Sequence, residues 1–487
     1  MRKRIGKICS AGLFVVFFAS FSPIYSQPED WRANLPEPVL ADEPGWIALY
    51  YETWRLADMN RIQTPAGWAI GDCRKAGTLT SWAQAFVAGF GKYLQNAHPQ
   101  IDHPMDGLDA FYALQEPDGT IPLILDEPNQ NRIQMPIFAW AEWQYYLQTS
   151  DLDRLRQILP VLDRFYGAVK RLHGTQAGPY TSGYAGNGMS NRPLGTRLID
   201  LTAQQALNAY LLNKMAVQCG EPKLAQKYER EHVFLSRAIN SMMWNDDDRF
   251  YGDLIRDILP INHWSIAGYW PLLARVAEKK HVAGLLAALQ DPTNFNTPHR
   301  IPTLGKHSID YSPHGDFWRG SVYPPMNYMV IKGLDANGLT QQATEIAENH
   351  LLAIYLTTIS YGMLYESYHQ ATLYYPSNRS RVDFVGWTGL STIALLIENV
   401  IGVQVNAPEQ LIRWVLHRND QHGIKNLRWG PDCAFRADLL AQARQAGDPS
   451  YRIFAKGNTD FTLELICDNQ SKRYKISAEK EREIHFP

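Results

Sequence analysis

Cysteine is scarce in this chain: 487 residues carry five, Cys9, Cys73, Cys219, Cys433 and Cys467. Their spacing is too wide and irregular for a zinc site, and a chain of this length buries enough surface to fold without disulfides. A Cys433–Cys467 bridge therefore stays open as an option, not a requirement. The sequence has no HExxH, no P-loop and no GxGxxG in a strand-to-helix context, so neither a metal nor an organic cofactor is indicated. A long apolar run is missing as well. The longest, inside ICSAGLFVVFFASF, falls short of the roughly 20 residues that a bilayer span needs. Nor is there an excess of positive charge: 47 Lys and Arg stand against 49 Asp and Glu, a formal net charge of -2, which argues against a nucleic-acid partner.

What is present begins with a targeting pattern. MRKRIGK is a basic n-region, the apolar run follows, and Ser26 is a small residue where a signal peptidase would cut. Residues 1–26 read as a signal peptide, and the mature protein as exported, periplasmic or secreted, with no membrane contact after cleavage. Cys9 follows Ile8 and not a small residue, which speaks against a lipoprotein site. Loss of Arg2, Lys3, Arg4 and Lys7 takes the formal charge from -2 to -6.

From Glu43 to about Val400 apolar residues recur at helical spacing. In one stripe, Leu152, Leu155, Ile158, Leu159, Leu162, Phe165, Tyr166 and Val169 share a face, with Ser150 expected as the N-cap and Pro160 as a kink. Similar segments run over Trp46–Met59, Thr80–Ala97, Asp200–Gln218, Trp264–Glu278, Val322–Leu334, Gln341–Thr358 and Gly386–Ile401, about twelve in all. Turn-rich stretches such as QEPDGTIP separate them, and no strand follows each helix, which argues against doubly wound and TIM-type folds. No motif repeats at a fixed period, so a solenoid is disfavoured. Six helical hairpins around a ring, an (α/α)6 toroid over residues 27–401, fit the count. Beyond Ile401, LIRWVLHR, YRIFAKG, FTLELIC and RYKISAE are short, alternating and β-branched or aromatic, which predicts a small antiparallel β-sandwich-like domain over 406–487.

Aromatic residues make up 12% of the chain, with 14 Trp and 25 Tyr. Trp82, Tyr184, Trp318 and Trp387 fall at predicted helix starts and loops, where indole and phenol faces can stack on the C–H faces of sugars; packing is the plainer role for any one of them. GDFWRGSVYPPMN brings Asp316, Trp318 and Arg319 to a helix entrance through Pro324 and Pro325, residues suited to a first turn. An Asp316–Arg319 pair that merely fixes the loop explains the same residues. In YGMLYESYHQ, Glu366 lies between Tyr365 and Tyr368; a carboxylate desolvated by aromatics suits proton transfer, whereas a Glu on a solvent-facing helix end would be inert.

Taken in order, IQMPIFAWAEWQYYLQTSDLDRL, SGYAGNGMSNRPL with IDLTAQQALNAYLL, MWNDDDRFYGDL, GDFWRGSVYPPMNYMVIKGL, YGMLYESYHQ and FVGWTGL resemble the six-hairpin glycosidases of glycoside hydrolase family 63, mannosylglycerate hydrolase and, more distantly, trehalase. The resemblance covers about Gly45 to Ile401. It implies an (α/α)6 barrel and metal-free, inverting hydrolysis of an oligosaccharide or glycoside, with an α-linked glucoside or mannoside as the expected substrate class. Such enzymes place two carboxyl groups about 6.5–9.5 Å apart, one protonating the glycosidic oxygen and one activating water. Glu366 matches the base. The acid is expected in a Gly-Met-Asp-Asn turn, where this chain has Ser190, whose hydroxyl cannot act as an ordinary general acid. Trp82 is followed by Ala83 where relatives show Trp-Asp. Asp316 is the leading replacement acid and Asp200, expected to cap a helix, the next. Tyr184, Ser190, Asn191, Arg192, Arg319 and the tryptophans Trp82, Trp318 and Trp387 are the expected sugar contacts. The competing reading is a catalytically impaired relative that binds sugar without cleaving it.

Overall fold

The structure is a computed structural model. It describes residues 30–487, apart from 74–77, 96, 98–102, 126, 128–136, 182–191, 193–194, 256–258, 261–262, 446–447, 449 and 468–469. Twelve α-helices are found among the described residues. They are α1 (Pro44–Met59), α2 (Ser81–Phe90), α3 (Asp106–Tyr112), α4 (Phe138–Thr149), α5 (Leu152–His173), α6 (Ile199–Cys219), α7 (Pro222–Met242), α8 (Trp270–Leu273), α9 (Lys279–Gln290), α10 (Pro324–Ala336), α11 (Thr340–Tyr361) and α12 (Leu390–Leu395). The even-numbered helices each pack on the next, and α12 packs on α2, which closes a ring; α1, α3, α5, α7 and α11 pack outside it.

Residue chemistry separates the two layers. All of α2 is buried, and so is the whole run Val385–Ile401, in which α12 is flanked by π-helical turns at Val385–Gly389 and Leu396–Ile401. Helices that are apolar nearly all round belong inside. By contrast α5 buries one face, Leu155, Ile158, Leu159, Leu162, Phe165, Tyr166, Ala168, Val169 and His173, and turns residues such as Asp153, Arg156 and Lys170 to solvent, as an outer helix must.

One buried charge ties the ring at its base. The Glu398 carboxylate accepts hydrogen bonds from Tyr93 (3.0 Å) and Tyr328 (2.7 Å) and pairs with Lys92 (2.9 Å) and Lys332 (3.0 Å). Lys92 and Tyr93 lie in the 3-10 turn that continues α2, and Tyr328 and Lys332 on α10, so the last turn of the α12 run is joined to both ring neighbours. Burial alone would raise the pKa of this carboxyl; Lys92 and Lys332 outweigh it and bring the group down to about 2.

The C-terminal domain is two facing sheets. In the five-stranded sheet the order is Glu37–Leu40, His422–Trp429, Phe435–Ala441, Tyr451–Gly457, Arg482–Phe486, antiparallel throughout. The other sheet runs Gln470–Ile476, Phe461–Cys467, Leu411–Val415, Val403–Asn406, with one parallel pairing between its two middle strands. Its partner sheet thus takes an edge strand, Glu37–Leu40, from residues that the sequence reading grouped with the helices.

Local expectations shift at four places. Ser150 is not the N-cap of α5: it ends α4 in the left-handed conformation (φ 57), and Asp151 caps α5 by accepting from the Arg154 amide at 2.9 Å. The α5 helix continues through Pro160. Trp264–Glu278 is only a 3-10 turn plus the short α8, because Arg275 turns left-handed (φ 59) and stops it. Cys433 and Cys467 are not bridged to each other.

Replacing Glu398 with Ala leaves two buried ammonium groups without their carboxylate, an expected loss of about 3–5 kcal/mol in chemical denaturation at pH 7. Because the folded pKa is depressed, that advantage over the variant should fade as pH falls from about 4.5 towards 2.

Candidate active site

The first residues of α2, α10 and the α12 run meet at the end of the ring opposite Glu398. Trp82 opens α2, whose N-cap Thr80 accepts from the Ala83 amide at 3.3 Å, and its ring meets Trp387 edge-on at 4.7 Å. Trp387 lies in the π-helical turn before α12, against Phe384 at 4.5 Å. Trp318 stacks on Tyr323, the residue before α10, at 4.2 Å and 10°. Pro324 and Pro325 form the first turn of α10, as their missing amides favour.

Glu366 is delivered by the segment between α11 and α12. Gly362 ends α11 with φ 73, and the chain then runs in strand-like pairing between Val322 and the stretch Arg381–Phe384. The amide of Glu366 donates to the Arg381 carbonyl (3.0 Å), Tyr368 and Val322 exchange hydrogen bonds at 2.9 and 2.8 Å, and Phe384 donates to Leu364 (3.1 Å). Trp387 Nε1 donates to the Glu366 carbonyl at 3.4 Å, and Thr388 to that of Tyr365 at 2.9 Å.

Glu366 is only 6% exposed, which excludes the inert solvent-facing alternative. Arg381 grips its carboxylate with its side-chain fork, Nε to Oε2 at 2.9 Å and Nη2 to Oε1 at 2.8 Å, and its amide donates to Oε2 at 3.4 Å. This fork fixes the carboxylate plane. Asp72 lies beside the pair: its carbonyl accepts from the Gly386 amide at 3.0 Å, and a Cβ added to Gly386 would come within 2.7 Å of both its Cα and Oδ1. Burial pushes the Asp72 carboxyl up to about 7, with Arg381 acting downward and Glu366 upward.

The chemistry this corner can perform is proton transfer beside an aromatic-lined surface, and the comparisons point the same way. The family described as "Mannosylglycerate hydrolase MGH1-like glycoside hydrolase domain" matches residues 184–373, a span that includes Glu366. An uncharacterized protein of Borreliella burgdorferi is 31% identical over 342 residues, 66% of this chain and 72% of that one. A probable mannosyl-oligosaccharide glucosidase of Schizosaccharomyces pombe is 22% identical over 216 residues, 41% of this chain and 26% of that protein. The family 63 mannosylglycerate hydrolase from Thermus thermophilus, solved in complex with glucose, has the same fold at a TM-score of 0.59 and 18% identity, covering 71% of this chain and 99% of that one. Residues 184–373 thus belong to a glycoside hydrolase domain of the mannosylglycerate hydrolase MGH1-like family.

In this glycoside hydrolase the structure gathers Glu366, Trp82 and Trp387 in one corner, with Trp318 on Tyr323, whose phenol feels the charges of both Glu366 and Asp316. Asp316 is one-third exposed, with Arg379 Nη1 3.8 Å from its Oδ1. Arg319 is half-exposed and reaches Asp310 at 3.8 Å. Arg192 is buried and held elsewhere, by Asp253 at 2.9 Å and Asp200 at 3.2 Å. Asp200 does not cap α6; Asp253 does, accepting from the Ile199 amide at 2.8 Å. Tyr184, Ser190 and Asn191 lie outside the described residues. Arg381 and Asp72 were not foreseen. Their one sequence signal is position, in the loops RVDF and IGDC that lead towards Trp387 and Trp82.

His103, Asp106 and Asp109 approach one another closely enough for a cation. However, the Met105 amide and the Tyr145 hydroxyl engage both ring nitrogens of His103, and Arg154 grips Asp109 at 2.8 and 3.0 Å, so these residues do not fit a metal.

Arg381→Met and Arg381→Lys should each lower kcat on a cleaved glycoside by about 100-fold, because a lysine cannot reproduce the planar fork and a displaced carboxylate in an active site costs about that much. Steady-state kinetics of both variants checks this.

Proposed function

We propose that this glycoside hydrolase cleaves an α-linked glucoside or mannoside in an oligosaccharide or small glycoside, with inversion, after export through its N-terminal signal. The observation that carries the reading is the buried carboxylate of Glu366, clamped by Arg381 and flanked by Trp387 and Trp82. Glu366 is the general base. With Oε2 taken by the amide and Nε of Arg381 and one lone pair of Oε1 by Nη2, the other lone pair of Oε1 is left to draw a proton from a water attacking the anomeric carbon. The indole faces of Trp82, Trp318 and Trp387 suit a sugar ring, and Arg319, Tyr184, Ser190 and Asn191 complete the proposed pocket. Asp316 is the acid that the sequence pattern favours. The substrate class draws support from the relatives' names, a mannosylglycerate hydrolase and a probable mannosyl-oligosaccharide glucosidase. Export draws support from residues 1–26, and among the described residues no helix is long and apolar enough to cross a membrane.

Ser190 at the expected acid position favours a second reading, a protein that binds sugar without turning it over. A lyase or epimerase with Tyr368 as base has less support: this phenol is fully buried and accepts the Tyr365 amide at 3.2 Å.

Glu366→Gln should lower turnover of a disaccharide by 10²–10⁴-fold or more while sugar binding persists. Proton NMR of the first-formed product of the wild type should show the anomer opposite to that of the substrate. Equal rates in wild type and variant would refute the assignment of the base.

A further inference from the structure

The corner holds a carboxyl group that neither the sequence pattern nor the comparisons assign. Asp72 follows the hairpin Arg61–Thr64/Gly67–Ile70, and Cys73 bridges Phe384 in antiparallel fashion, so the chain is laid directly against the turn that carries Trp387. Asp72 is 8% exposed, and its Oδ1 is buried with no hydrogen-bond partner among the described residues. The charged groups that act on it are Arg381 and Glu366, both from the segment between α11 and α12, with the Cys73 thiol next in sequence. The two carboxyls lie close enough for each charge to be felt by the other, yet they share no hydrogen bond.

We propose that Asp72 is the proton donor of this site, the second carboxyl group that completes the pair with Glu366. The assignment rests on the hydrolase reading given above and deepens it. A buried carboxyl with an open oxygen is costly unless a ligand satisfies it. The glycosidic oxygen of a bound substrate is such a partner. In the reaction the Asp72 proton passes to that oxygen as its bond to the anomeric carbon breaks. A water oxygen bonds to the same carbon from the other face, and its proton passes to Glu366; exchange with solvent then restores both groups. Asp72 must be protonated to begin, and burial, which holds its carboxyl up to about 7, supplies that form at neutral pH. The other candidates are less suited: Asp200 is locked to Arg192, and Asp316 is a third exposed with Arg379 beside it.

The test uses the full mature chain and the sugar that the wild type cleaves best in a disaccharide panel, offered both as that disaccharide and as its glycosyl fluoride, whose leaving group needs no proton. Asp72→Asn should lower kcat/KM on the disaccharide by 10²–10⁴-fold and on the fluoride by less than tenfold, and Asp316→Asn should show no such split. In the wild type, activity on the disaccharide should fall as pH rises through about 7, while the fluoride profile stays flat there. The wild-type profile alone keeps the proposal testable should Asp72→Asn fail to fold. A full rate on the disaccharide for Asp72→Asn, the split appearing in Asp316→Asn instead, or identical wild-type profiles on both substrates would overturn the role of Asp72 and leave the hydrolase standing. A wild type that turns over neither the panel nor any fluoride would overturn the hydrolase reading, and this assignment with it.

Discussion

Closing a ring of helices in a single chain requires the last inner helix to find the first. Here that seam is fixed by one buried glutamate. Glu398 sits at the end of the α12 run and accepts from two tyrosines and two lysines that belong to the neighbouring helices of the ring. A buried charge network of this kind adds less net stability than an apolar plug would, but it is satisfied in only one arrangement of the three helices. Everything at the far end depends on this, because the same three elements present Trp82, Tyr323 and Trp387 there. A slip of one helix along its neighbour at the base would separate the aromatic rings at the mouth.

The corner around Glu366 is built from loops, held by backbone pairing and not by the helices alone. Short strand-like contacts run from Cys73 to Phe384, from Tyr365 to Val382 and from Val322 to Tyr368. They place three ionisable groups, Asp72, Glu366 and Arg381, on adjoining strips of main chain. Although the segments that carry them are loops, these side chains are thus positioned as rigidly as on a small sheet.

Much of this was legible in the sequence, for physical reasons that differ from part to part. Helices such as α5 and α6 announce themselves because a long periodic stripe has no other way to be buried, and the texture change after Ile401 marks the sheets for the same reason. Glu366 stood out because a carboxylate between two tyrosines is unusual. The partner of that glutamate was hidden: Arg381 is one of several loop arginines, and nothing local distinguishes it from Arg379, which faces Asp316 instead. Asp72 was hidden more deeply, since its environment is created by Gly386 and Arg381, residues more than 300 positions away. Arg192 shows the converse error. Its motif looked like a ligand contact, yet its charge is neutralised by Asp200 and by Asp253, a residue of the motif MWNDDDRFYGDL that was not singled out for any role.

The edge strand Glu37–Leu40 pairs in register with His422–Lys425, so an early segment of the sequence is completed by a late one. During synthesis that strand must wait as an open edge while the whole helical ring is produced between the two partners. An unpaired edge invites foreign strands, and such distant pairing is slow to form. The sandwich thereby acts as a clasp: it cannot shut before the ring it encloses has been made, and once shut it holds the two ends of that ring together.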